Sequence, residues 1–234
     1  MTNNYIVCQN CGEENPLFFS KCGKCHHYLR ATIPNIDFWS TVWKIFENPV
    51  DGLKNVIYAE HKNFISFLTF FVSVKFLLIS AFIQSFFDDG VIKSGSFIYN
   101  LLLQSLIYSI FLIVFSALVN VVIKSVSKSK IKNTFSVILY SFIPLALTLF
   151  FLTPIEYGIF GKHWFIFNPS PFLIKTIPAY ILTTIEGIFI VWSLFIFWKG
   201  VKLLSDSTLL TTALTLIFII SLGSIIYFVP YIII

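Results

Sequence analysis

Apolar residues dominate five stretches of the chain, residues 64–87, 97–123, 135–153, 179–198 and 209–234. Each reaches the roughly 20 residues that an α-helix needs to cross a hydrocarbon core about 30 Å thick. The pattern predicts an all-α membrane protein, with a five-transmembrane-helix bundle in residues 63–234. Ahead of it, in residues 31–62, the period changes. Phe38, Trp39, Val42, Trp43, Ile45 and Phe46 recur at spacings of three and four, with Asp37, Ser40, Lys44 and Glu47 between them. That spacing predicts an amphipathic helix at the membrane interface. Packing of the same stripe on the bundle accounts for it equally well. Asn48 predicts the start of a second helix: its side chain caps, Pro49 sits in the first turn, and Asp51 faces the positive helix end. Residues 155–178, "IEYGIFGKHWFIFNPSPFLIKTIP", are too interrupted by Gly and Pro to span. With Tyr157 and Trp164 they read as an interfacial or partly re-entrant loop, in which His163 is solvated or hydrogen-bonded.

Composition sharpens this reading. The 234 residues are 57% hydrophobic and only 12% charged, which excludes an ordinary soluble domain. The net charge of +5 is a matter of placement. With the N-terminus inside, twelve Lys and Arg fall on the cytosolic side, and three, Lys93, Lys162 and Lys175, fall outside near Asp88 and Asp89. The first apolar run also follows about 60 polar and mixed residues, unlike a secretory signal. The N-terminus is therefore expected in the cytosol and the C-terminus outside or lumenal. The run "KSVSKSKIK" (124–132) reads as a topology determinant, and the 28 Phe carry no functional weight.

The clearest chemical motif is "CQNCGEENPLFFSKCGKCHHYL" in residues 1–30, predicted to be a cytosolic domain. Cys8, Cys11, Cys22 and Cys25 form two CxxC pairs, the ligand set of a structural zinc site, and a reducing compartment disfavours disulfides. One structural zinc ion is expected. The stretch resembles short zinc ribbons of the pattern CxxCGxxNP…CxxCG, matching at Gly12, Asn15 and Pro16, with His26 where Gly is usual. A closed set of four thiolates leaves no position for a reactive water. Lys21, Lys24 and Arg30 are offset by Glu13 and Glu14, so no nucleic-acid partner is expected.

Inside the predicted spans lie two charges, Lys75 and Glu186. Counted from the cytosolic side both sit about 18 Å deep, which predicts an interhelical ion pair. With Asn100, Gln104 and Asn120 the pair is also a candidate relay. Pro144 removes a backbone donor from the third span and predicts a kink, with Ser141 placed to satisfy freed backbone.

The order of "FWSTVWKIFENPVDGL" (38–53), five spans, "YSFIP" (140–144) in the third, and "VWSLFIFWKGVKLLSDSTLLTTAL" (191–214) resembles the Yip family, membrane proteins named for interaction with Ypt/Rab GTPases. The resemblance covers about residues 38–234 and implies a five-helix bundle that binds membrane partners. Zinc-ribbon heads are familiar on prokaryotic members, which implies the plasma (inner) membrane; a small GTPase partner is implied only for a eukaryotic source. The chain shows no catalytic arrangement of Ser, Cys, His or paired carboxylates. It therefore reads as a non-enzymatic adaptor or scaffold in membrane organisation or trafficking. Its partners are the lipid bilayer and proteins at the cytosolic face, homo- or hetero-oligomers included. The alternative is a small transporter or channel using Lys75 and Glu186.

Overall fold

A computed structural model describes residues 5–16, 19, 21–29, 33–87, 97–127, 129–166 and 169–232. Strand β1 (Tyr5–Val7) pairs antiparallel with β2 (Glu14–Pro16), and β3 (Ile33–Asn35) lies parallel to β4 (Ala59–His61). Helices α1 (Phe38–Glu47) and α2 (Pro49–Tyr58) form a hairpin between β3 and β4. Asp37 caps α1 by accepting the Ser40 N–H at 2.9 Å. Asn48 ends α1 and caps α2, with Pro49 in its first turn.

The hairpin is a folded part of the bundle rather than a separate surface helix. Burial of Val42 and Ile45 on α1 and of Leu53, Val56 and Ile57 on α2 seats it against the long helices, while Trp39 and Trp43 stay 68% and 66% exposed. Lys62, just beyond β4, folds back beneath α2. Its ammonium donates to the carbonyls of Val56, Ile57 and Ala59, satisfying orphan acceptors at a helix end. Burial, with Lys132 nearby, pulls Lys62 down to about 7. The predicted segment 31–62 thus contains a parallel strand pair and a buried lysine that its local pattern did not announce.

The rest is helical: α3 (Ile65–Phe87), α4 (Phe97–Lys124), α5 (Ile131–Ser141), α6 (Ile143–Phe160), the short α7 (His163–Ile166) and α8 (Pro171–Ile174), α9 (Thr176–Ser205) and α10 (Thr208–Ile232). With α5 and α6 counted as one broken rod, five helices are long and apolar enough to cross a membrane. The broken rod is the central one, 72% buried against 39% or less for the others. Two boundaries move outward. The third stretch, predicted as 135–153, runs Ile131–Phe160, and the fourth, predicted as 179–198, runs Thr176–Ser205. Polar residues at those ends read as loop, but several are buried in contacts with other helices, among them Asn133, Thr134, Glu156 and Ser205.

All five rods meet in one aromatic cluster. Phe218 of α10 stacks on Phe197 of α9 with ring centroids 4.6 Å apart, and also meets Phe115 of α4 at 4.9 Å and Phe142 at 5.3 Å. Phe142 in turn meets Phe76 of α3 at 5.4 Å. Phe142 is the break between α5 and α6, and Pro144 sits in the first turn of α6. The expected kink is therefore a helix restart. Ser141 donates to Val137 O at 2.7 Å, so it does not serve the freed groups. The Leu145 N–H is instead accepted by Ser193 Oγ of α9 at 3.2 Å. At the far end α6 stops at Gly161, whose φ of 59° and ψ of −141° turn the chain back into α7.

Two glycines set how closely elements approach. A Cβ on Gly52 would lie 2.7 Å from the Ile45 amide nitrogen, and one on Gly200 would lie 2.6 Å from Val137 Cγ1. Gly223 has open space around it. Gly52→Ala is expected to destabilise the protein by about 1–3 kcal/mol, because backbone cannot yield, and Gly200→Ala by less than that. Gly223→Ala should be neutral or slightly stabilising. Thermal unfolding of the three variants in one detergent checks the order.

Candidate functional site

Two constellations carry chemistry. In the first, the β1–β2 hairpin frames the Cys8/Cys11 turn and an antiparallel bridge between Lys21 and Tyr28 frames the Cys22/Cys25 turn. Gly12 N–H bonds Cys8 O at 2.8 Å and His26 N–H bonds Cys22 O at 3.0 Å, so the turns repeat one geometry. Both closing residues have positive φ, 73° at Gly12 and 57° at His26. Histidine tolerates that region better than branched residues do. The departure from the ribbon pattern thus leaves the turn intact.

The four sulfurs lie within 4.8 Å of one another, with Cys8 to Cys25 at 3.6 Å and Cys11 to Cys22 at 3.4 Å. A disulfide would need about 2.05 Å. Four thiolates about 2.3 Å from a central ion would stand about 3.8 Å apart, so the set fits a tetrahedral metal. Asn15, 3% exposed, ties the turns together: its amide donates to Glu13 O at 2.7 Å and Cys22 Sγ at 3.5 Å, and it accepts the Gly23 N–H at 2.9 Å. Backbone N–H groups of Cys25 and Lys24 directed at Cys22, with the Asn15 amide, hold its thiol down to about 6. Cys11 is pushed up to about 12, since the pull of the Glu13 amide is outweighed by Cys25, burial and the other two sulfurs. Sulfurs this close all ionise only with a cation among them. Lys24 adds an exposed ion pair to Glu13 at 3.2 Å.

The second constellation lies between α3, α6, α7 and α9. Lys75 Nζ stands 2.8 Å from Glu186 Oε1 and 3.0 Å from Oε2, and donates to Thr153 Oγ1 at 3.3 Å. The Lys75 side chain is 2% exposed and that of Glu186 16%. Among the described residues a further titratable group that sequence reasoning missed, Glu156, stands with this pair. It is 2% exposed, interacts electrostatically with Lys75 and Glu186, and its carboxyl is hydrogen-bonded by Trp164. Gly and Pro make 155–178 look like a loop, yet Thr148, Leu152, Glu156 and Phe160 recur every four residues and all are buried. That period was the available signal.

Of the other candidate relay residues, neither Gln104 nor Asn120 lines the space beside Lys75 and Glu186. Asn120 accepts the Thr134 hydroxyl at 3.1 Å in a separate network. The side chain of Asn100 lies outside the described residues, as do Arg30, Asp88, Asp89, Lys93 and Lys128. No protein-family model, no curated protein and no solved structure matches the chain.

Purified full-length protein is expected to carry about one tightly bound metal ion per chain, and Cys22→Ser should remove most of it. Elemental analysis finding no metal in native protein would refute the site. For the charged group the three side chains predict an asymmetry. Lys75→Met leaves two buried carboxylates without their cation and should cost about 3–5 kcal/mol. Glu186→Gln should cost less, because Glu156 remains near Lys75. A double-mutant cycle should show coupling of about 1–3 kcal/mol, and additive effects would show that the pair contributes nothing as a pair.

Proposed function

We propose that the chain is a non-enzymatic, membrane-inserted scaffold whose zinc ribbon and α1–α2 hairpin assemble protein partners on the cytosolic face. In this reading the ion held by Cys8, Cys11, Cys22 and Cys25 is zinc, the N-terminus is cytosolic, and the C-terminus lies outside or in a lumen. Insertion is supported by apolar side chains exposed on the outer faces of the long helices, such as Leu118, Val121, Val191 and Ile220, which water would not tolerate in such number. Orientation is supported by the placement of basic residues. Lys44, Lys54, Lys124, Lys130, Lys132, Lys199 and Lys202 lie toward the hairpin end, where Ser127 Oγ bonds Leu204 O at 2.8 Å and joins the turn after α4 to the end of α9.

The observation that carries the scaffold reading is the hairpin itself. Two Trp side chains are presented outward from a helix that Gly52 and Ile45 lock onto a rigid mount. Exposed aromatic anchors on a fixed support are what partner recognition uses. The ribbon ahead of it in the chain has a closed ligand set, which suits docking rather than catalysis. The likeness in order and motifs to the Yip family, whose members bind membrane partners, supports the same assignment.

The test is cross-linking and capture from native membranes with the full chain, a Cys22→Ser chain and a Trp39→Ala/Trp43→Ala chain. Partners held by the wild type should be depleted about tenfold from both variants. Recovery of the same proteins in the same amounts from all three would overturn the scaffold reading.

A further inference from the structure

Beside the Lys75–Glu186 pair is a cavity of about 180 Å³, walled by α3, α6, α7 and α9. Its polar groups are Lys75, Glu156, Thr183 and Glu186; Phe82 and Trp164 are among the rings around it. An apolar cavity of about 150 Å³ admits a benzene-sized molecule. This one is of that size and carries charge at one side.

One acceptor is left over. An ammonium has three donors, and those of Lys75 are committed to the two Glu186 oxygens and to Thr153 Oγ1. Glu156 also lines the cavity, but its Oε1 has no hydrogen-bond partner among the described residues, although the atom is buried. A buried carboxylate oxygen without a donor is costly, so a site that supplies one gains a strong interaction. The same cavity is lined by the rings of Phe82 and Trp164, whose centroids are 5.4 Å apart. Aromatic faces attract a cation, most of all where water is excluded.

We propose that this cavity binds a small organic ammonium ion, its N–H groups on Glu156 Oε1 and its apolar part between Phe82, Trp164 and Ile79. One carboxylate, one aromatic wall and a benzene-sized volume together select a monovalent amine with a compact apolar body. An inorganic cation would forgo the apolar lining, and a neutral molecule would bring Glu156 Oε1 a weaker donor than an ammonium does. The inference stands independently of the scaffold reading, because the cavity lies at the far side of the bundle from the hairpin.

The probe is benzylammonium chloride, compared with its neutral isostere benzyl alcohol. Both are titrated calorimetrically into the full-length protein in nanodiscs, with empty nanodiscs as the lipid blank. Benzylammonium is expected to bind saturably, and benzyl alcohol at least about tenfold more weakly. Glu156→Gln should weaken benzylammonium by about tenfold or more, since a charge-assisted bond is lost. Gly187 lines the cavity, and a Cβ there meets nothing within 4 Å, so Gly187→Leu should fill the space and abolish binding while the carboxylates stay. No saturable binding by the wild type, equal binding of the alcohol, or undiminished binding by Gly187→Leu would each overturn the proposal. Undiminished binding by Glu156→Gln would do the same, and if that variant does not fold, the alcohol and Gly187→Leu arms decide.

Discussion

A polar group inside an apolar bundle has no water to fall back on, and this constraint shapes the protein from end to end. Pro144 interrupts the central rod, and the stranded Leu145 N–H is met by Ser193 from a neighbouring helix. The end of α2 exposes carbonyls, and Lys62 reaches back to meet three of them. Ser80 donates to Ile226 O at 2.7 Å, pinning α3 to α10. Each bond closes a deficit with a side chain, from another helix for Leu145 and Ile226 and from just past the helix end for α2. The helices are thereby fixed in rotation and height, which the aromatic cluster around Phe218 alone would leave loose, because rings slide over one another at little cost. Among the described residues the accounting stays open at Tyr108, Tyr140 and Glu156, and of these Glu156 is the one that lines the cavity.

Much of this architecture was legible beforehand, for identifiable reasons. Five long apolar runs force helices, because no other backbone form satisfies itself over 20 residues, and two CxxC pairs at short separation converge for the same local reason. Lys75 and Glu186 could be matched by depth because straight helices convert residue number directly into height. Legibility ended where a side chain's burial was set by packing rather than by its local pattern. Nothing near Lys62 signals that its ammonium is buried, and three-residue strands such as β3 and β4 have no pattern of their own. Glu156 was hidden differently. Pro154, Gly158 and Gly161 punctuate its segment like a loop, and the four-residue recurrence through Leu152 and Phe160 is visible only once those signals are set aside.

The two chemical sites differ in how they are held. The four-sulfur cluster is built on short strands and turns with little core, Cys8, Cys22 and Leu29 being its buried apolar residues among those described, and a cluster this small is ordered by a metal ion when it binds one. The charged group is framed by long helices and needs no ligand to hold its shape. One module is built around four sulfurs; the other is built by packed helices and leaves a space among them. The α1–α2 hairpin belongs with the second kind, since its buried face is continuous with the main core.

Gly161 joins these themes at a single backbone position. Its dihedral angles belong to a region that side-chain-bearing residues scarcely enter, and the turn it makes lays Trp164 against Phe160, Phe82 and the Glu156 carboxyl. The cavity's roof is thus hung from one dihedral pair, several residues from any group that touches its interior. Damage there would look like a binding defect with every lining residue still present. Variation in this protein that spares all the charged and aromatic residues can therefore still empty the cavity of purpose, by letting its roof swing away.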